Sequence, residues 1–236
     1  GKTRLLEEFL DRVPGHGDAK IAITQCLPYG QRLTYAPLRP LLLGIIDAAG
    51  DPSPDELRAA ARDWLHAAGD GDADRSADLL AATLGATEIE NVDRGALFAA
   101  WRSLVERAAA QRPLVLVVED LHWSSDSLLD LIEAVLQPRG AAPMVMLVLA
   151  RPELLDRRPT WGGGRRNYVA LALEPLGDTA VATLVDDLFG RSAPEVAAKV
   201  AARAEGNPFY AGEIVRSILE RAPGLAEADV DRALAS

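Results

Sequence analysis

An α/β fold, a parallel sheet flanked by helices with an all-helical segment behind it, is predicted by three observations. "PLVLVVED" (Pro113–Asp120) and "MVMLVLAR" (Met144–Arg151) are continuous apolar runs. Strands buried on both faces read this way, as in a parallel sheet with helices on each side. Between them Ser125–Leu136 is an amphipathic helix, which makes a βαβ unit whose crossover is right-handed. After Pro175 every periodic segment is helical. The composition agrees: the chain is 49% hydrophobic but only 5% aromatic, so its core is built of Ala, Leu and Val, which suits helices on a sheet better than a sandwich.

In chain order, Leu5, Leu6, Phe9, Leu10 and Val13 mark a helix from Thr3 with one buried stripe, ended by Pro14-Gly15. "AKIAITQC" (Ala19–Cys26) is a short strand, followed by the proline-punctuated loop "LPYGQRLTYAPLRP". Leu38–Ala49 reads as a helix stopped by Gly50. Ser53-Pro54-Asp55-Glu56 starts another, with a Ser cap, Pro in the first turn and Glu placed to close a capping box. "GDGDADRS" (Gly69–Ser76) is acidic and glycine-rich but lacks the EF-hand ligand pattern and its closing Glu, so it reads as a solvated loop. A helix over Asp93–Ala110 leads into the two buried strands, and Tyr168–Leu173 is a further strand candidate. Asp178–Phe189, Pro194–Ala204 and Pro208–Arg221 are the closing helices. The expected domains are 1–174, with a helical insertion over about 36–110, and a helical domain over 175–236. No internal repeat is found.

Twenty-five Lys and Arg against 35 Asp and Glu leave a net charge of −10. Such a surface repels phosphate backbones, so direct nucleic-acid contact by this segment is not expected. One cysteine, Cys26, excludes an internal disulfide, and His16, His66 and His122 have no metal-ligand spacing. No apolar run approaches the roughly 20 residues of a membrane helix. A cytoplasmic protein that makes no membrane contact is expected. The sequence opens at Gly1 without a methionine, and an excerpt of a longer polypeptide is expected.

Gly1-Lys2-Thr3 matches the last three residues of the phosphate-binding loop G-x-x-x-x-G-K-[ST]. There glycine admits the phosphates, lysine contacts them and the hydroxyl binds Mg²⁺, all at a helix N-terminus. Glu119 and Asp120 end a buried strand, where ligands of parallel sheets bind. Two adjacent acids there need water, a cation or a basic partner. One could hold the Mg²⁺ of a nucleotide and the other orient a water.

"LVLVVEDLHWSSDSLLDLI" resembles the Walker B region of STAND-class signal-transduction ATPases, relatives of the AAA+ proteins. It is closest to that of the large ATP-binding regulators of LuxR type and of cyclase-associated ATPase modules. "LVLARPEL" is similar to their sensor 1 segment and "AEGNPFYAGEIVRSIL" to the GxP-bearing segment of their helical lid. The resemblance runs from Gly1 to about Leu219. It implies a P-loop NTPase core with ATP or ADP and Mg²⁺ as cofactors. Gly1 and Lys2 would bind phosphate, Thr3 and Glu119 the Mg²⁺, and Asp120 the attacking water. Arg151 would sense the γ-phosphate, and Pro208 would lie near the adenine. Glu rather than Asp at position 119 departs from the commonest STAND pattern and leaves the roles of Glu119 and Asp120 interchangeable.

Each assignment has a plainer counterpart. Gly206-Asn207-Pro208 is also a helix stop, cap and start. His122 and Trp123 read as packing residues, and Cys26 as a buried thiol. Arg157-Arg158 and Arg165-Arg166 read as loop charge, with an arginine finger as the alternative. The resemblance implies a slowly hydrolysing regulatory switch, self-association in the ATP state, and further sensing and output domains. Alternatives are an AAA+ motor and a scaffold that binds no nucleotide. An incomplete phosphate loop implies weak ATP binding and little activity for the segment alone.

Overall fold

Leu114–Val118 are five consecutive buried residues, and this strand is the middle of the sheet. The computed structural model describes residues 1–12, 19–28, 34–84, 93–137, 143–165, 167–190 and 192–221. Its described strands are β1 (Lys20–Gln25), β2 (Leu114–Glu119) and β3 (Met144–Val148), in the order β1-β2-β3 and all parallel. Ala22, Leu116 and Met146 stand in one register row. Helix α1 (Lys2–Arg12) opens the chain, and α2 (Leu38–Ile46), α3 (Pro54–Ala67), α4 (Ala73–Ala82), α5 (Arg94–Gln111), α6 (Asp126–Val135) and α7 (Glu153–Arg157) belong with the sheet. Helices α8 (Asp178–Phe189), α9 (Pro194–Ala204) and α10 (Pro208–Arg221) follow it, with the bounds expected from the sequence. The chain divides into two compact units, Glu7–Arg165 and Gly1–Leu6 with Arg166–Ser236.

The sheet unit has one continuous core, in which Leu42, Ile45, Leu65, Leu104 and Leu129 are wholly buried beside Leu116 and Val118. Helix α2 lies close on β1: a Cβ on Gly44 would come 2.9 Å from Ala22 Cβ. Its far end is tied down by Lys20, a buried lysine whose Nζ donates to Ile45 O and, at 2.8 Å, to Asp47 Oδ2. A buried charge is tolerated when paired and hydrogen-bonded. Helix α2 therefore stops at Asp47, which is left-handed (φ 55°), and not at Gly50 as expected. The capping box of α3 is formed as read: Glu56 N–H donates to Ser53 Oγ, and Ser53 N–H to Glu56 Oε2.

Three further expectations are corrected. β3 is only partly buried, with Val145 46% exposed, because its apolar run lies at an edge of the described sheet. Tyr168–Leu173 is not a strand: Val169 and Leu171 are 77% and 79% exposed, and the segment has no ladder partner among the described residues. Alternating apolar residues make a strand only where their N–H and C=O groups find a neighbour. The acidic stretch from Gly69 is not simply solvated. Asp70 is buried, its Oδ1 accepts from Asp72 N–H, and its Oδ2 accepts from Ser76 and Ser103 hydroxyls and pairs with Arg107 at 3.4 Å.

The helical unit packs Val181 and Val185 of α8, Ala197 and Val200 of α9, and Ala211, Val215 and Ile218 of α10 into a core of its own. Gly206 joins α9 to α10 at φ 74°, and a Cβ there would lie 2.5 Å from Leu176 O. Only glycine fits so close an approach in that conformation.

Candidate functional site

β2 ends at Glu119, and the chain turns at Asp120 with φ 53° and ψ 37°, a left-handed conformation. That basin costs an L-residue roughly 1–2 kcal/mol, with Asp and Asn the side chains that tolerate it best. Gln25 pairs in register with Glu119, and its Nε2 donates to Asp120 Oδ2 at 2.9 Å. The backbone is held from both sides: Cys26 N–H donates to Glu119 O at 2.9 Å, Leu149 N–H to Val118 O at 2.9 Å, and Leu121 N–H to Leu149 O at 3.0 Å. Both carboxylate residues are partly buried, and Arg151 is exposed, three residues beyond the end of β3. Glu119 and Asp120 are thus presented at the carboxyl end of the central strand, where parallel sheets bind ligands. Gln25 escaped the sequence reading. Its signal is a polar residue closing the strand that neighbours the acids.

A single 3₁₀ turn, Leu121–Trp123, follows. His122 is buried, its ring centroid 4.9 Å from that of Trp123, which lies against the main core. Cys26 is buried as well, and its thiol is pushed up to about 12, chiefly by burial and then by the charge of Asp120. A thiol so hard to ionise is no nucleophile.

Among the described residues, Arg157, Arg158 and Arg165 make contacts within their own unit. Arg157 donates from Nη1 to His122 O (3.0 Å) and Ser124 O (3.1 Å), and from Nη2 to Asp126 Oδ1 (2.9 Å). Its guanidinium holds the Asp126 carboxyl below the usual range, with Arg158 adding to the effect. Arg158 pairs with Asp130 at 2.8 Å, and Arg165 donates to Leu136 O and Glu133 O at 2.9 and 3.1 Å. Arg166 lies outside the described residues.

In the other unit, Lys2 and Thr3 form the exposed first turn of α1, directly after Gly1. A Cβ on Gly1 would come 4.0 Å from Pro208 Cγ, so the start of α1 lies beside the start of α10. Asn207 caps α10: its Oδ1 accepts from Phe209 N–H at 3.0 Å. Gly206-Asn207-Pro208 is therefore the stop, cap and start that its composition indicates, and its Pro208 adjoins Gly1. Gly1, Lys2, Thr3 and Pro208 belong to one unit, and Glu119, Asp120 and Arg151 to the other.

A parallel sheet flanked by helices, with two acids at the tip of its central strand, defines an α/β core of the P-loop NTPase kind. The family model described as AAA ATPase domain matches residues 1–148, and the chain belongs to that family. No curated protein and no solved structure matches the chain. The family implies a nucleotide-binding function of ATPase type. No helix among the described residues is long and apolar enough to cross a membrane.

Proposed function

We propose that this chain is the nucleotide-binding core of a STAND-class regulatory switch, similar to those of LuxR-type regulators, which binds ATP or ADP with Mg²⁺ and hydrolyses ATP slowly. Asp120 carries the proposal. A carboxylate in a left-handed backbone, hydrogen-bonded by Gln25 and next to Glu119 at a strand tip, supports it. Backbone outliers of this kind concentrate at active sites.

By residue type the candidate set suits the cofactor. Among the described residues no group of three or more His, Cys, Asp or Glu could hold a metal unaided. Mg²⁺ is bound by one or two protein oxygens, with phosphate oxygens and waters completing the set, and by donor chemistry Thr3 and Glu119 would be those two. When bound, Mg²⁺ neutralises charge on the phosphates. Lys2 would bind the β and γ phosphates at the N-terminus of α1, whose free N–H groups favour anions. Asp120 would take the proton of the attacking water, with Gln25 fixing which carboxylate oxygen faces it. Arg151 would read the γ-phosphate. Pro208, beside Gly1, would tie the helical unit, as a lid, to the base. The core is proposed over 1–174 and the lid over 175–236.

A switch is favoured over a motor because Arg157, Arg158 and Arg165 are engaged within their own unit. Self-association in the ATP state, and sensing and output domains on the same polypeptide, complete the proposal. The test is to purify the full polypeptide that carries this core without added nucleotide, denature it, and chromatograph what is released. Stoichiometric ADP or ATP, lost in Lys2→Ala, is expected. No nucleotide in either protein, with no uptake on titration, would identify a scaffold.

A further inference from the structure

Residues 157–165, Arg-Arg-Pro-Thr-Trp-Gly-Gly-Gly-Arg, form a strap inside the sheet unit. At one end Arg157 bridges His122 O, Ser124 O and the Asp126 carboxylate. Arg158 adds Asp130, which Arg94 also holds at 2.8 Å, and Asp126 O at 3.2 Å. In the middle, Trp161 is buried in the main core. Gly162 and Gly164, at φ 71° and 76°, turn the chain out of it. At the other end Arg165 takes the carbonyls of Glu133 and Leu136, groups left without helical partners at the end of α6. The strap therefore grips both ends of α6 and, through Arg157, the turn that follows Asp120.

We infer that this strap sets the position of Asp120, with Arg157 a positioning residue acting within its own chain; the inference rests on the hydrolytic reading above. Within the turn Trp123 N–H donates to Asp120 O (2.9 Å) and Ser124 N–H to Leu121 O (3.0 Å), while Leu121 N–H reaches across to Leu149 O (3.0 Å) and Gln25 holds the Asp120 carboxylate. These bonds hold the start of the turn, and an Asp whose backbone gains by leaving the left-handed basin stays there when the residues after it are held too. Arg157 adds a rigid fork that locks the carbonyls two and four residues past Asp120 onto the first residue of α6. Trp161 and Arg165 keep the strap from following if the turn moves. Lysine cannot replace the fork, because an ammonium lacks its planar reach to three acceptors. A guanidinium committed to three bonds at home is also not one that reaches into a neighbouring molecule.

The test compares Arg157→Ala and Arg157→Lys with Arg94→Gln, which loosens the Asp130 pairing but does not touch the turn. On the full polypeptide, amide hydrogen exchange at Leu121, Trp123 and Ser124 is measured without nucleotide, and kcat and KM for ATP are measured below the melting temperature of every variant. Faster exchange at these amides and a kcat lowered by about 100-fold, the cost of misplacing a reacting group by about an ångström, are expected for Arg157→Ala. KM should stay unchanged, Arg157→Lys should be intermediate, and Arg94→Gln should alter stability alone. Unchanged exchange at the turn in Arg157→Ala overturns the inference even if the protein hydrolyses nothing, which keeps its failure separate from failure of the ATPase reading. Recovery of activity on mixing Arg157→Ala with Lys2→Ala protein also overturns it, because only an arginine acting between molecules can be supplied that way.

Discussion

Gln25 Nε2 lies 2.9 Å from Asp120 Oδ2, joining the last residue of β1 to the turn beyond β2. The bond spans 95 positions of sequence and exists because parallel pairing sets Gln25 opposite Glu119. Asp120→Asn isolates its chemical role. Asn tolerates the left-handed basin, and its amide oxygen can still accept from Gln25. Stability should stay within about 0.5 kcal/mol of the parent, as for changes that break no packing or cap. Hydrolysis should fall by about 10²–10⁴-fold, the usual worth of a general base. Phosphate release and urea melts on the same samples check both. Retained hydrolysis in Asp120→Asn would move the role to Glu119.

Gly206→Ala should cost the helical unit about 2–4 kcal/mol, combining an unfavourable φ with overpacking of a closed approach. The new methyl meets backbone, Leu176 O at 2.5 Å and Leu176 N at 2.9 Å, and backbone cannot rotate away. Gly212 sits inside α10 with no packed neighbour within 4 Å of where a Cβ would stand, so Gly212→Ala should instead stabilise by about 0.5–1 kcal/mol. Opposite shifts in the denaturation midpoint are the expected result. Equal tolerance of both would show that Gly206 is not held against Leu176.

Asp70 anchors the loop between α3 and α4 through Asp72 N–H, two hydroxyls and Arg107. Removing a buried acceptor strands its donors, and Asp70→Ala should cost about 1–3 kcal/mol. Asp70→Asn keeps the geometry and should cost less. Asp72, in the same acidic stretch, is exposed, and Asp72→Ala should be close to neutral. Chemical denaturation of the three variants orders them, and Asp70→Ala behaving like Asp72→Ala would return this stretch to a plain solvated loop.

How much of this could be read beforehand follows the range of each interaction. Capping by Ser53 and Glu56, the start of α10 at Pro208 and the buried run of β2 are local patterns, and all were readable. So was the pairing of acids at a strand tip. Gln25–Asp120, Asp70–Arg107 and Arg157 on the carbonyls of His122 and Ser124 join residues 33 to 95 positions apart. No periodicity announces such partners. Val145 and Leu171 show the reverse failure: their apolar runs promise burial, and burial depends on neighbours that a run cannot specify.

Cys26 offers a prediction in pH. Its thiol is raised from 9.0 to about 12 in the folded chain, so the native state favours the protonated form. Below the unfolded value both states hold the proton, and the thiol leaves stability independent of pH. As pH rises above 9.0 the unfolded chain loses its proton while the folded chain keeps it, and stability drains until the folded thiol ionises near 12. In that window one proton gives a slope of about 1.4 kcal/mol per pH unit. Cys26→Ala should lose that component, so the difference in unfolding free energy between parent and variant should shrink steadily with rising pH above 9.0. Asp120→Asn removes the charge that adds to the shift and should make the thiol somewhat easier to ionise. Parallel alkaline profiles for the parent and Cys26→Ala would mean that the thiol reaches solvent in the native state, and thiol-specific reagents would then label it without unfolding.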